Sequence, residues 1–234
     1  MKTLKSLVCL ALAVGFSSTA LAGSYTFNTA PGSTTIGGPV NATVTFATGN
    51  GTLGITLTNL LVNPTDVAQN ISDLFFTLNN PALTTGTIGV DGPDFLVNVA
   101  ANGTVNGGGT GTAGWTLAFG AGQFLLNGLG TATFTPAQTI LGAPGPGGVY
   151  TNANGSIAGN SLHNMFINQT ATWTLNIPGI TASTAVTAAT FSFGTVPGIN
   201  VPGVPPSVPD GGTTGILLGA ALAGLGVLRR YLKN

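Results

Sequence analysis

Five stretches of this chain alternate apolar and polar residues with a period of two. In VNATVTFAT, Val44 and Phe46 fall on one side and Thr43 and Thr45 on the other. In GTLGITLTNL, Leu53, Ile55 and Leu57 oppose Thr52, Thr56 and Thr58. DLFFTL sets Leu74, Phe76 and Leu78 on one face. ATWTLNI sets Trp173, Leu175 and Ile177 against Thr172, Thr174 and Asn176, and ATFSFG offers Phe191 and Phe193. Alternation of this kind, rich in β-branched residues and broken by Gly, Pro and Asn clusters, predicts half-buried antiparallel strands. No amphipathic helix interrupts them. The expected fold is therefore all-β, an antiparallel β-sandwich of jelly-roll type.

The hydropathy pattern changes at both ends. Residues 1–22 begin with Lys2 and Lys5, continue as an apolar run from Leu7 to Phe16 and close on Ala20-Leu21-Ala22. This is the layout of a secretory signal, whose helix enters the translocon. Signal peptidase is expected to cut after Ala22, where Ala20 and Ala22 fit its small pockets, making Gly23 the first residue of the mature chain. At the other end, Thr213 to Leu228 is a second apolar run. At about 1.5 Å per residue it spans about 24 Å as a helix, short of the ~30 Å hydrocarbon core. Snorkelling of Arg229 and Arg230 narrows the deficit. With Lys233 they form a basic stop that belongs on the cytosolic side, leaving the body outside.

Charge sharpens the division. Only 4% of the residues are charged, against about 25% in ordinary globular chains. All five basic residues lie in the two terminal segments, and the body holds four carboxylates, Asp66, Asp73, Asp91 and Asp94. Four acids and no Lys or Arg give the body a charge of about −4, which excludes nucleic acid as a partner. Cys9, the one cysteine, lies within the signal, so the mature chain has no disulfide. Four regions follow: a signal at 1–22, an ectodomain at 23–195, a Pro-rich linker at 196–207 and a C-terminal region at 208–234. The linker is expected to be a polyproline stalk. The Gly-rich stretches 101–114 and 143–160 are expected to be loops.

The C-terminal region has three parts: Val208-Pro209-Asp210-Gly211-Gly212, the apolar helix 213–228 and the basic tail 229–234. This layout resembles the sorting signals of the PEP-CTERM class, and more closely the variant called VPDSG-CTERM, with Gly211 where that variant has serine. The resemblance implies export, transient anchoring by one transmembrane helix, and processing near the motif by an exosortase, a membrane-embedded protease. Signal peptidase and this protease are the implied partners.

Candidate chemistry in the body is sparse. A serine triad would need His163 and a nucleophile elbow, and no G-x-S-x-G occurs. With one His and no Cys in the body, no zinc site forms from those ligands. Asp91 and Asp94, in VDGPDF, are the one close pair of carboxylates, a candidate for calcium or, less specifically, for a hydrolase acid pair. Trp115 and Tyr150 are candidate platforms for stacking on sugar, since Trp173 alternates into the core. The expected role is that of an exported envelope or matrix protein without enzymatic activity and without a cofactor. A carbohydrate-binding module is the second reading and a secreted hydrolase the third. Thr-rich faces and edges without lysine leave extracellular polysaccharide or self-association as the body's partners.

Overall fold

The computed structural model describes residues 23–129, 138–158 and 165–206. Strand β1 (Gly23–Thr29) leads into a small ladder of β2 (Thr34–Thr35) and β3 (Gly38–Pro39), then into β4 (Ala42–Thr48) and β5 (Thr52–Asn59). Next come β6 (Ile71–Leu78), β7 (Thr87–Asp91), β8 (Asp94–Val99) and β9 (Val105–Gly111). β10 (Thr116–Gly120) and β11 (Gln123–Asn127) form a tight hairpin. The remaining strands are β12 (Ile140–Leu141), β13 (Phe166–Asn168), β14 (Thr170–Asn176), β15 (Val186–Phe193) and β16 (Asn200–Val204). All five alternating segments place their apolar residues inside: Phe46, Leu57, Leu74, Trp173 and Phe191 are buried.

The all-β expectation holds, but a sandwich of two separate sheets does not describe the connectivity. The described residues form one 14-stranded sheet in the order β7-β14-β5-β4-β1-β16-β15-β6-β12-β13-β8-β9, with β10 and β11 branching from β6. Twisted sheets wider than about ten strands curl or split, and this one curls until its halves face each other. Phe46 of β4 meets Phe76 of β6 at 5.2 Å between ring centroids, and Phe76 stacks on Phe124 of β11 at 5.3 Å. One apolar cluster therefore contains residues from both halves. Burying each such side chain contributes about 1.5–3 kcal/mol.

The seam between the halves is β16, and this corrects the expected stalk. Residues 200–204 of the Pro-rich stretch pair with β1 on one side and β15 on the other. A strand with Pro202 is tolerated because its ladders are short: two partner pairs to β1 and three to β15. Gly203 makes the seam possible. A Cβ there would stand 3.0 Å from the Ala189 carbonyl oxygen and 3.1 Å from side-chain atoms of both Phe27 and Phe191. The ectodomain thus extends beyond residue 195.

Both Gly-rich stretches are also more ordered than expected. Within 101–114, β9 pairs along its length with β8, although most of its residues are exposed. Backbone hydrogen bonds hold a strand whose side chains bury almost nothing. The 143–158 portion makes two single-turn 3-10 segments and packs Tyr150 and Ile157 into a second, smaller core with Val97, Leu141 and Phe166. The two ends of the sheet order, β7 and β9, each carry a register shift, at Gly89 and Gly108. Bulges blunt a strand edge against pairing with another chain, supplying what lysine supplies elsewhere.

Candidate functional site

The sorting residues Val208, Pro209, Asp210, Gly211 and Gly212, the basic residues Arg229, Arg230 and Lys233, and the signal residues Ala20 and Ala22 lie outside the described residues, as does His163. Gly23 opens β1 and pairs with Thr48 of β4. Among the described residues no helix is long and apolar enough to cross a membrane, and the apolar run 213–228 is not among them.

The two aromatic residues expected to stack on sugar are buried. Trp115 is 4% exposed; its indole N–H donates to the Gln138 carbonyl at 2.8 Å and its ring lies 4.9 Å from that of Trp173. Tyr150 is 2% exposed and donates its hydroxyl to the Gly142 carbonyl at 2.8 Å. Burial holds the Tyr150 phenol above its ordinary pKa, so it stays a neutral donor. Both rings are core residues whose polar tips found backbone partners.

All four carboxylates of the body clamp backbone. Asp66 caps a 3-10 turn by accepting from the Ala68 N–H at 2.8 Å. Asp73 of β6 accepts from Gly128 at 2.9 Å and Leu129 at 3.3 Å, fixing the chain as it leaves β11. Asp91 takes the Ala113 N–H at 3.1 Å and the Gly114 N–H at 3.0 Å, one on each oxygen. Asp94 accepts the Thr172 N–H at 3.0 Å on Oδ1, while its Oδ2 is enclosed with no partner. Burial pushes Asp94 up to about 6; the Thr172 N–H opposes the rise and the nearby Asp91 charge adds to it. Burial raises Asp73 as well, against the pull of the Gly128 and Leu129 N–H groups. Asp91 and Asp94 are thus brought together, Asp91 with both oxygens on backbone N–H groups and Asp94 with Oδ1 alone. No group of three His, Cys, Asp or Glu side chains fit to hold a metal occurs among the described residues.

What the sequence reading missed is the contrast between the two outer faces. On the β1-β4-β5-β14 half, register places Thr26, Thr45, Thr56 and Thr172 in one row, and Asn28, Thr43, Thr58 and Thr170 in the next. Many of these hydroxyls are spent internally: Thr26 on Thr45 at 3.2 Å, Thr58 on Thr170 at 3.0 Å, and Thr172 on Asp94 at 3.4 Å. On the other half, one outward row runs Ala118, Leu125, Phe75, Thr190, Pro202 across β10, β11, β6, β15 and β16. Phe75 is 38% exposed. Two shallow depressions of about 250 and 260 Å³ adjoin it, and they share Phe75, Gln123 and Phe124. The first also takes in Thr77, Thr190 and Asn200, and the second reaches the exposed Phe119. The signal for Phe75 was present in DLFFTL, because the alternation that buries Phe76 turns its neighbour outward.

No curated protein and no solved structure matches the chain. Residues 207–232 match the VPDSG-CTERM motif, so the chain carries this variant of the PEP-CTERM-type sorting signal at its C-terminal end.

Proposed function

We propose that this protein is an exported component of the cell envelope or extracellular matrix with a structural, non-enzymatic role. The observation that carries the reading is the match of residues 207–232 to a sorting signal of the class processed by exosortase-type machinery. In this reading the apolar run 213–228 stalls in the membrane, held by Arg229, Arg230 and Lys233 on the cytosolic side. The protease then acts near Val208–Gly212 and frees the β-rich body at the outer surface. The character of the body supports the non-enzymatic part. Each of its four carboxylates accepts backbone N–H groups, and none of them lines the two depressions beside Phe75.

Mass spectrometry of both ends of the mature chain tests the reading. A chain beginning at Gly23 and ending close to Gly212 is the expected result. A full-length C-terminus at Asn234 in the envelope fraction would overturn processing.

A further inference from the structure

The outer face centred on Phe75 has the chemistry of a glycan platform. Phe75 presents part of its ring from the middle of a five-strand row, with Leu125, Ala118 and Phe119 on one side and the hydroxyls and amides of Thr77, Gln123, Thr190 and Asn200 beside it. Among the described residues, the side chains of Thr77, Gln123 and Thr190 make no hydrogen bond, and Asn200 uses only its amide oxygen, accepting from Ser192 at 2.6 Å. An apolar ring surrounded by uncommitted neutral donors and acceptors matches a pyranose ring, which offers C–H groups on its face and hydroxyls at its rim. Charge narrows the ligand. No charged side chain lines either depression, and the body holds four Asp with no Lys or Arg. An anionic polymer would meet no counter-charge and a net negative body.

A second copy of the chain fits this face less well. Stable association buries about 1,200–2,000 Å² around an apolar centre. Here the outward row contributes Phe75 and the half-buried Leu125 as large apolar groups, with the exposed Phe119 at its margin, between polar rows Gln123–Thr77 and Asn127–Asp73–Ser192–Asn200.

We infer that the Phe75 face, with Thr77, Gln123, Thr190 and Asn200, binds a neutral polysaccharide chain. The inference rests on the reading of the body as a surface component and names its partner. Its test does not involve the tail, so a chain found intact to Asn234 would overturn processing and leave the glycan site standing.

The experiment is affinity electrophoresis of the full-length chain through gels containing dextran, mixed-linkage β-glucan or alginate. Retardation in a neutral gel, unchanged by salt and absent in alginate, is expected. Phe75→Ala should weaken that retardation at least about tenfold, the size of a binding hot spot. Phe75→Trp should preserve it, and Gln123→Ala should weaken it by a smaller factor. Cooperative thermal unfolding of each variant confirms its fold. Should Phe75→Ala fail to fold, Gln123→Ala and Phe75→Trp carry the decision. Retardation only in alginate, none in either neutral gel, or full retention in folded Phe75→Ala would overturn the inference. So would a concentration-dependent dimer abolished by Phe75→Ala without sugar binding, which would assign the face to a second copy.

Discussion

Thr26 and Thr45 satisfy each other across two strands on one outer face, whereas Thr77 and Thr190 on the other have only solvent or a ligand to bond. Both faces belong to one sheet, share one core and lack Lys, Arg and Glu. Their difference therefore comes from side-chain placement within a common composition. On the threonine face, cross-strand hydroxyl pairs of the kind that contribute about 0.2–1 kcal/mol each make the surface partly self-sufficient. On the Phe75 face, the side chains of Thr77, Gln123 and Thr190 make no hydrogen bond among the described residues, while Asn200 accepts from Ser192. A surface without Lys, Arg or Glu can thus be either closed to partners or open to them, according to how its hydroxyls are spent.

The seam provides the most severe way to break this comparison. Gly203→Val would force a branched side chain against the Ala189 carbonyl, the Phe27 Cβ and the Phe191 ring. Overpacking of this kind costs about 1–3 kcal/mol. Because β16 joins the halves, the loss should appear as a single lowered thermal transition, with the Phe75 face impaired together with the threonine face. Two separate transitions, one of them unchanged, would show that the halves fold independently.

Asp94 sharpens the comparison from the threonine side, where it holds Thr172. Its folded pKa of about 6 lies above the unfolded carboxylate value. The folded state therefore binds more protons than the unfolded state across the interval between those values. The stability that protonation provides is complete below the unfolded pKa and is lost as pH rises through about 6. Asp73, also raised, contributes with the same sign. Denaturant titrations of the parent chain should show stability declining by on the order of 1–2 kcal/mol between pH 4 and pH 7 from Asp94. Asp94→Asn keeps an oxygen for the Thr172 N–H and removes the unpaired charge, so it should flatten most of that slope. An unaltered slope would mean that Asp94 is not the group responsible.

How much of this was readable in advance depended on whether side chains or backbone did the holding. Where burial drives strand formation, as in β4, β5, β6 and β14, alternation named the buried residues correctly, Phe46, Leu57, Phe76 and Trp173 among them. β9 and β16 were invisible to the same logic. The glycines of β9 carry no side chain to alternate, and Pro202 argues against a strand by every local rule, yet backbone pairing with β8 and β15 holds both. Trp115 and Tyr150 were misjudged for a related reason. Tyr150 is an isolated ring in Gly-rich sequence and Trp115 opens only the short alternation Trp115-Leu117-Phe119, and the partners that hold their polar tips, the Gly142 and Gln138 carbonyls, are not named by the sequence around them. Of the two outer faces, the threonine rows follow directly from the alternation, but their alignment across four strands depends on register, which no single segment encodes.

The mildest test acts on the threonine face itself. Thr26→Ala and Thr45→Ala each remove one member of the 3.2 Å hydroxyl pair from a half-exposed position. Either change should cost no more than about 0.5 kcal/mol, and the double mutant should cost less than the sum by a few tenths, the coupling of one exposed cross-strand pair. Migration through a neutral-glucan gel should not change in any of the three variants, since the groups they lose were already paired with each other. A glycan effect from Thr45→Ala as large as that from Phe75→Ala would erase the distinction between the faces. It would show that internal pairing does not keep these hydroxyls from a ligand. If instead the threonine variants bind like the parent while Phe75→Ala does not, the two faces differ in function as they do in hydrogen bonding, and uncommitted polar groups around one exposed ring account for the difference.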